Sequence, residues 1–147
     1  MNSGLFGFHP SFSSVALRLV LGIIFIAHGY PKLFSKDLGP RGFSGFLQKL
    51  DVPAPLAVAY IVGVAEFFGG IALLLGLLTR LFAVLLSINM LVAMAKLKFR
   101  TGLVAKVMDG TWVGGYELDL ALLTMLLVLF SLGSSRYSLD WILFQRW

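Results

Sequence analysis

Glu66 stands near the middle of an apolar run from about Leu56 to Leu78, inside the stretch Gly63-Val64-Ala65-Glu66-Phe67-Phe68-Gly69-Gly70. That run is long enough to cross a bilayer. A carboxylate at such depth is expensive unless it is paired, protonated or hydrated. Groups able to partner it sit in the other apolar runs. At helical spacing, Arg18, Gly22, Phe25, His28, Gly29 and Lys32 share one face of the first run. Asn89, Ala93 and Lys96 share a face of the third, and Glu117 and Asp119 open the last. A cationic or imidazole donor beside a carboxylate can bind a polar head group or pass a proton. Glu66 is therefore expected to pair with His28 or with an arginine across the centre of the protein.

Each of these residues also has a plain structural reading. Arg18 and Lys32 lie toward the ends of their span, where long stems snorkel to the interface. His28 can be a hydrogen-bonded structural histidine. Asn89 can be glue between helices, worth about 0.6–2 kcal/mol in membranes. Measured along the helices, His28, Glu66 and Asn89 lie within a few turns of one depth. Lys32, Lys96, Glu117 and Asp119 are close in depth and able to exchange charge partners, while Arg18 and Arg80 lie toward the opposite face. No metal-ligand spacing is present. His28 is the single histidine in a span, which argues against a bis-histidine haem. Neither a Ser-His-Asp arrangement nor a phosphate-binding glycine loop stands out.

The elements that position these groups are membrane helices. The 147 residues are 59% hydrophobic and 13% charged, against about 25% charged in soluble domains. Spans are expected at about 14–33, 56–78, 81–97 and 116–132, giving an all-α integral membrane four-helix bundle in a single domain, 1–147. Glycines on either side of Glu66 (Gly63 and Gly70) and along the first span (Gly22 and Gly29) invite close helix approach. Residues 1–13 read as an irregular tail with Phe6, Phe8 and Phe12 at the interface and His9 on the surface. The first apolar run lacks a cleavage site and reads as an uncleaved span. Pro31 predicts a break near its end. Phe43, Phe46, Leu47 and Leu50 recur at helical spacing in residues 35–53, which predicts a short amphipathic helix on the membrane surface, serving as a connector or, alternatively, capping a cavity. A tight turn at Thr79-Arg80 makes spans two and three a hairpin. Residues 98–115 read as a polar loop with Trp112 as an anchor. A second interfacial segment carries Trp141, Phe144, Arg146 and Trp147.

The net charge of +5 needs no nucleic acid to explain it, because the basic residues sit in short loops between spans. Lys32, Lys36, Arg41, Lys49, Lys96, Lys98, Arg100 and Lys106 outnumber Arg18, Arg80, Arg136 and Arg146 on the other side. The positive-inside bias then places both termini outside the cytoplasm, with the chain in the cell's inner membrane. With no cysteine, thiol chemistry would belong to a partner.

Several segments together resemble the DoxX family of small bacterial and archaeal membrane proteins. They are Leu17-Arg18-Leu19; His28-Gly29 with Lys32-Leu33-Phe34; Glu66-Phe67 with Gly69-Gly70; Leu78-Thr79-Arg80; Gly115 with Glu117; and Gly133 with Arg136-Tyr137-Ser138-Leu139-Asp140. The likeness runs from about Ser13 to Ile142 and implies a four-helix membrane bundle. Arg18, His28, Glu66, Arg80 and Glu117 match the family's polar positions. With Asn89 they form the candidate functional cluster, and Lys32, Lys96 and Asp119 are secondary. The resemblance implies a membrane component of a redox system, a non-autonomous oxidoreductase subunit tied to quinone-linked sulfur or thiol oxidoreduction or to oxidative stress. Its implied cofactor is a quinone, and its implied partner a redox or sulfur-handling enzyme. A proton-coupled transporter or channel for small solutes and a non-catalytic scaffold are the alternatives. All three readings allow a homo-oligomer in the lipid bilayer.

Overall fold

A computed structural model describes residues 10–98, 102–104, 106–108 and 111–144. The expectations for Phe6, Phe8, His9, Arg100, Arg146 and Trp147, and for the side chains of Lys98, Lys106 and Trp112, lie outside what it describes. Among the described residues, the elements are helices and one short β-hairpin. Helix α1 spans Pro10–Phe34, α2 Gly39–Gln48, α3 Pro55–Leu75, α4 Thr79–Ala93, α5 Glu117–Leu132 and α6 Leu139–Phe144. A π-helical turn, Met94–Lys98, extends α4. Strands β1 (Lys106–Met108) and β2 (Thr111–Val113) pair antiparallel with Val107 opposite Trp112, inside the segment expected to be a plain loop.

Among the described residues, three helices are long and apolar enough to cross a membrane: Ser11–Phe34, Pro55–Leu75 and Thr79–Lys96. Helix α5 has 16 residues, about 24 Å at 1.5 Å per residue, short of the roughly 30 Å hydrocarbon core. Two boundaries differ from expectation at the first helix. It begins at Pro10 rather than Ser14, since proline at a helix start loses no ladder bond. It also continues through Pro31 to Phe34, because a proline in the last turns removes only one bond from a helix held by packing.

The hairpin between α3 and α4 is tighter than the sequence suggested. Gly76 ends α3 at φ +67°, with the Leu77 N–H donating to the Ala72 carbonyl at 2.8 Å. This is the left-handed cap that glycine favours. Leu78 follows at φ +48°, so α4 starts two residues earlier than expected. The first backbone N–H groups of α4 are then capped from a distance. Asp140, at the start of α6, accepts from the Leu78 N–H at 2.6 Å and the Thr79 N–H at 3.0 Å. Asp140→Ala is expected to destabilise the fold by about 1 kcal/mol, the usual effect of losing a helix cap. Thermal unfolding in detergent micelles measures it, and an unchanged midpoint would contradict the capping role.

Leu21 and Phe25 of α1, Leu73 of α3, Ala83, Leu86 and Met90 of α4, and Leu122, Leu126 and Leu129 of α5 form the core. The outward faces are equally apolar: Ile23, Ile61, Phe68, Ile88 and Leu127 are all exposed. Residues of this kind on both faces require lipid as the outer solvent. The closest packing joins α1 to α3. A Cβ on Gly22 would lie 2.8 Å from the Gly70 carbonyl oxygen, one on Gly70 2.8 Å from that of Gly22, and one on Gly29 2.4 Å from the Phe67 nitrogen. The two backbones touch, as the glycine pattern predicted.

Candidate functional site

A cavity of about 240 Å³ lies at the end of the helices where Lys32 and Lys96 reside. Helical spacing supplies each wall. Phe25, His28 and Lys32 come from α1; Val58, Val62 and Glu66 from α3; Asn89, Ala93 and Lys96 from α4 and its π-helical extension; and Leu118, Asp119 and Leu122 from α5. Phe43 and Leu47 of α2 close over it. Both are buried, packing with Ala59, Val58 and Val62 of α3 in a small core of their own. The amphipathic segment therefore covers a cavity rather than merely connecting two spans. An amphipathic pattern is the same for either role, because it records an apolar face and not what that face meets.

Glu66 is 3% exposed and both of its carboxylate oxygens are engaged. Lys32 Nζ donates to Oε2 at 2.5 Å, and Asn89 Nδ2 donates to Oε1 at 2.8 Å. The expected partner, His28 or an arginine, is not the observed one. Lys32 does not snorkel; it turns inward to form an ion pair. Two glycines make this possible. Gly29 lets α1 lie directly on α3, and a Cβ on Gly63 would crowd the stems of Leu33 and Lys32. Phe43 then covers the ammonium, its ring centroid 5.1 Å from Nζ, a cation–π contact that strengthens where water is scarce. The three residues tie α1, α3 and α4 together beneath α2.

His28 lines the same cavity but is exposed, and among the described residues it makes no hydrogen bond. Lys96 is exposed at the rim and Asp119 is buried in the wall. Glu117 is exposed at the start of α5 and does not line the cavity. Of the two acids at that helix start, the cavity takes the one counted as secondary.

Arg18 and Arg80 do not join this group. Arg18 is 3% exposed at the other end of the helices, where Nη2 donates to the Tyr137 carbonyl at 2.8 Å. Arg80 is exposed and lies across Gly133, close enough that a Cβ there would meet Nε at 3.0 Å. The cluster expected from sequence thus divides. His28, Glu66 and Asn89 line the cavity with Lys32, Lys96 and Asp119. Arg18 and Arg80 hold the far end, where the Gly133–Asp140 segment folds back on the α3–α4 turn. The apolar lining, above all Phe43, Leu47, Val58 and Val62, was absent from the candidate residues. Its sequence signal is the four-residue spacing within α2 and within α3.

The arrangement presents a small apolar chamber with a polar floor. One N–H of the Asn89 amide is committed to Glu66, leaving a second donor and an acceptor. Lys32 retains further N–H donors beyond the one facing Glu66. Glu66, with both oxygens occupied, orients these donors.

Comparison with known proteins agrees with this membrane architecture. The DoxX family model matches residues 13–99, which carry every polar residue of the cavity except Asp119. An uncharacterized membrane protein of Mycobacterium tuberculosis is 35% identical over 135 residues, covering 87% of this chain and 79% of the relative. A Bacillus subtilis protein named "Putative oxidoreductase CatD" is 29% identical over 132 residues, covering 90% of this chain and 87% of the relative. No solved structure matches significantly.

Proposed function

Because this chain belongs to the DoxX family of membrane proteins, we propose that it is the membrane component of a redox system and that its cavity receives the head group of a quinone. The observation that carries this reading is the Lys32–Glu66–Asn89 floor beneath otherwise aliphatic walls. Ligand sites are typically apolar pockets with a few convergent polar groups. Lys32 and Asn89 would donate to a quinone oxygen, Glu66 would fix their orientation, and Val58, Val62, Leu47 and Leu122 would bound the ring. Phe43 and Leu47 would keep water from the floor. A bound quinone supplies two-electron, two-proton chemistry. The name of the Bacillus relative supports an oxidoreductase setting. Without cysteine, the chain itself has no thiol couple, so a sulfur or thiol redox step falls to a partner enzyme.

In this reading all of 1–147 is one domain, and α5 completes a four-helix membrane bundle with its flanking residues. The basic loops face the cytoplasm of the inner membrane, both termini lie outside, and the cavity sits at the cytoplasmic ends of the helices.

The test is equilibrium binding of a short-chain quinone to the purified protein in detergent micelles. Wild type is expected to bind, and Asn89→Leu to bind about tenfold more weakly, the scale of one hydrogen bond to a polar ligand. Absence of binding, or equal binding by the variant, would remove the quinone from the proposal.

A further inference from the structure

A second cavity, of about 360 Å³, lies at the opposite end of the molecule and takes no part in the reading above. Thr79, Arg80, Ser134 and Asp140 line it with Leu78, Leu81, Leu132 and Phe144. The membrane-spanning part of α4 begins at Thr79, so this cavity sits at a membrane boundary, where phospholipid head groups lie. We propose that it is a binding site for a phospholipid whose head group carries hydrogen-bond donors, with phosphatidylethanolamine as its type.

Three observations carry the assignment. First, Arg80 offers a cation. It is exposed, and among the described residues its guanidinium has no hydrogen-bond or acidic partner. It lies beside Gly133, where a Cβ would come within 3.0 Å of Nε, so the missing side chain leaves it room. A guanidinium presents its N–H donors in the fork geometry that suits a phosphate.

Second, a buried donor of the cavity wall lacks a partner. Thr79 is fully buried and its hydroxyl is unsatisfied among the described residues. Unpartnered buried polar groups are rare, and each calls for a ligand or an ordered water.

Third, the cavity joins that polar end to lipid-facing apolar residues. Leu78, Leu81, Leu132 and Phe144 are all exposed. Free phosphate would leave those residues without a partner, whereas acyl chains would cover them.

Asp140 sets the head-group preference. Its two oxygens each accept one backbone N–H from the start of α4, which leaves about two of roughly four lone-pair positions open. A primary ammonium can donate to them. A trimethylated ammonium has the same charge and no N–H to give.

The experiment compares lipids that differ only in that respect. The purified chain is delipidated, exchanged into nanodiscs of matched acyl composition, and its retained lipid counted by native mass spectrometry. Wild type is expected to retain phosphatidylethanolamine about tenfold over phosphatidylcholine, the effect of one hydrogen bond to a charged group. Arg80→Gln is expected to lower retention of both. Asp140→Asn, in samples whose helical circular dichroism matches wild type, is expected to erase the preference while leaving phosphatidylcholine retention unchanged. Equal retention of the two lipids by wild type overturns the assignment, and that result needs no variant to fold. Displacement of the lipid by millimolar inorganic phosphate would overturn the lipid as occupant and leave a simple anion site.

Discussion

Lys32→Ala is expected to destabilise the protein by about 3–5 kcal/mol, the scale for breaking a buried ion pair by removing one partner. Lys32 is 17% exposed and Glu66 3%, so solvent cannot take over the role of the missing ammonium. The carboxylate would keep only its bond from Asn89, leaving a buried charge without its counter-charge. Glu66→Leu alone is expected to destabilise similarly, by stranding the lysine. The pair of substitutions together, Lys32→Met with Glu66→Leu, is expected to return stability to within about 1 kcal/mol of wild type, because buried ion pairs replaced by apolar residues of similar volume are often neutral. The double variant would fold and still lack the polar floor. Quinone binding lost in a well-folded double variant would assign the pair to function. Binding retained there would assign it to helix register alone. Unfolding by detergent titration, read by circular dichroism, measures the stabilities.

Gly29→Leu is expected to be the most damaging single change in the α1–α3 contact. Even a methyl group at this position would sit 2.4 Å from the Phe67 nitrogen and 2.9 Å from its Cα. These are backbone atoms of a packed helix and cannot swing aside. The helices must separate or slide, and overpacking of this kind typically destabilises by about 1–3 kcal/mol or more. Gly45→Leu is the control. Nothing lies within 4 Å of a Cβ there, so only a small change is expected. Thermal midpoints of the two variants in the same detergent make the comparison. Similar values would show that the close approach of α1 and α3 is not what limits stability. Separation should also lengthen the Lys32–Glu66 contact, since both residues flank the Gly29 contact, so lost quinone binding is expected to accompany lost stability.

Much of this was legible in the sequence. The apolar runs placed the three helices long enough to cross a membrane and the shorter α5, and the cost of Glu66 in lipid predicted that other groups would gather around it. The glycines marked the contact that brings them together. Depth along the helices already separated Arg18 and Arg80 from His28, Glu66 and Asn89. What stayed hidden was the direction of individual side chains. Whether Lys32 snorkels outward or turns in depends on how far α1 and α3 approach, and that distance is set by backbone contact at Gly29, Gly22 and Gly70. His28 and Lys32 share a face at four-residue spacing, so periodicity could not choose between them as the partner of Glu66. Leu78 at a positive φ was equally unreadable, because leucine has no preference for that conformation. Its presence there follows from the trans cap given by Asp140, a residue of a different element.

That far end of the molecule bears on how the chain is made. Ser14 donates to the Gly133 carbonyl and Arg18 to that of Tyr137, each across 119 positions. Asp140 reaches Leu78 across 62. A nascent chain therefore releases its first helix into the membrane long before the acceptors for Ser14 and Arg18 have been synthesised. Until residues 133–140 emerge, a buried arginine has no carbonyl to meet and the start of α4 has no cap. Residues 133–140 act as a latch that closes only once they have been made. A chain interrupted before them stays membrane-inserted but open, with the Ser14 and Arg18 donors and the start of α4 unmet.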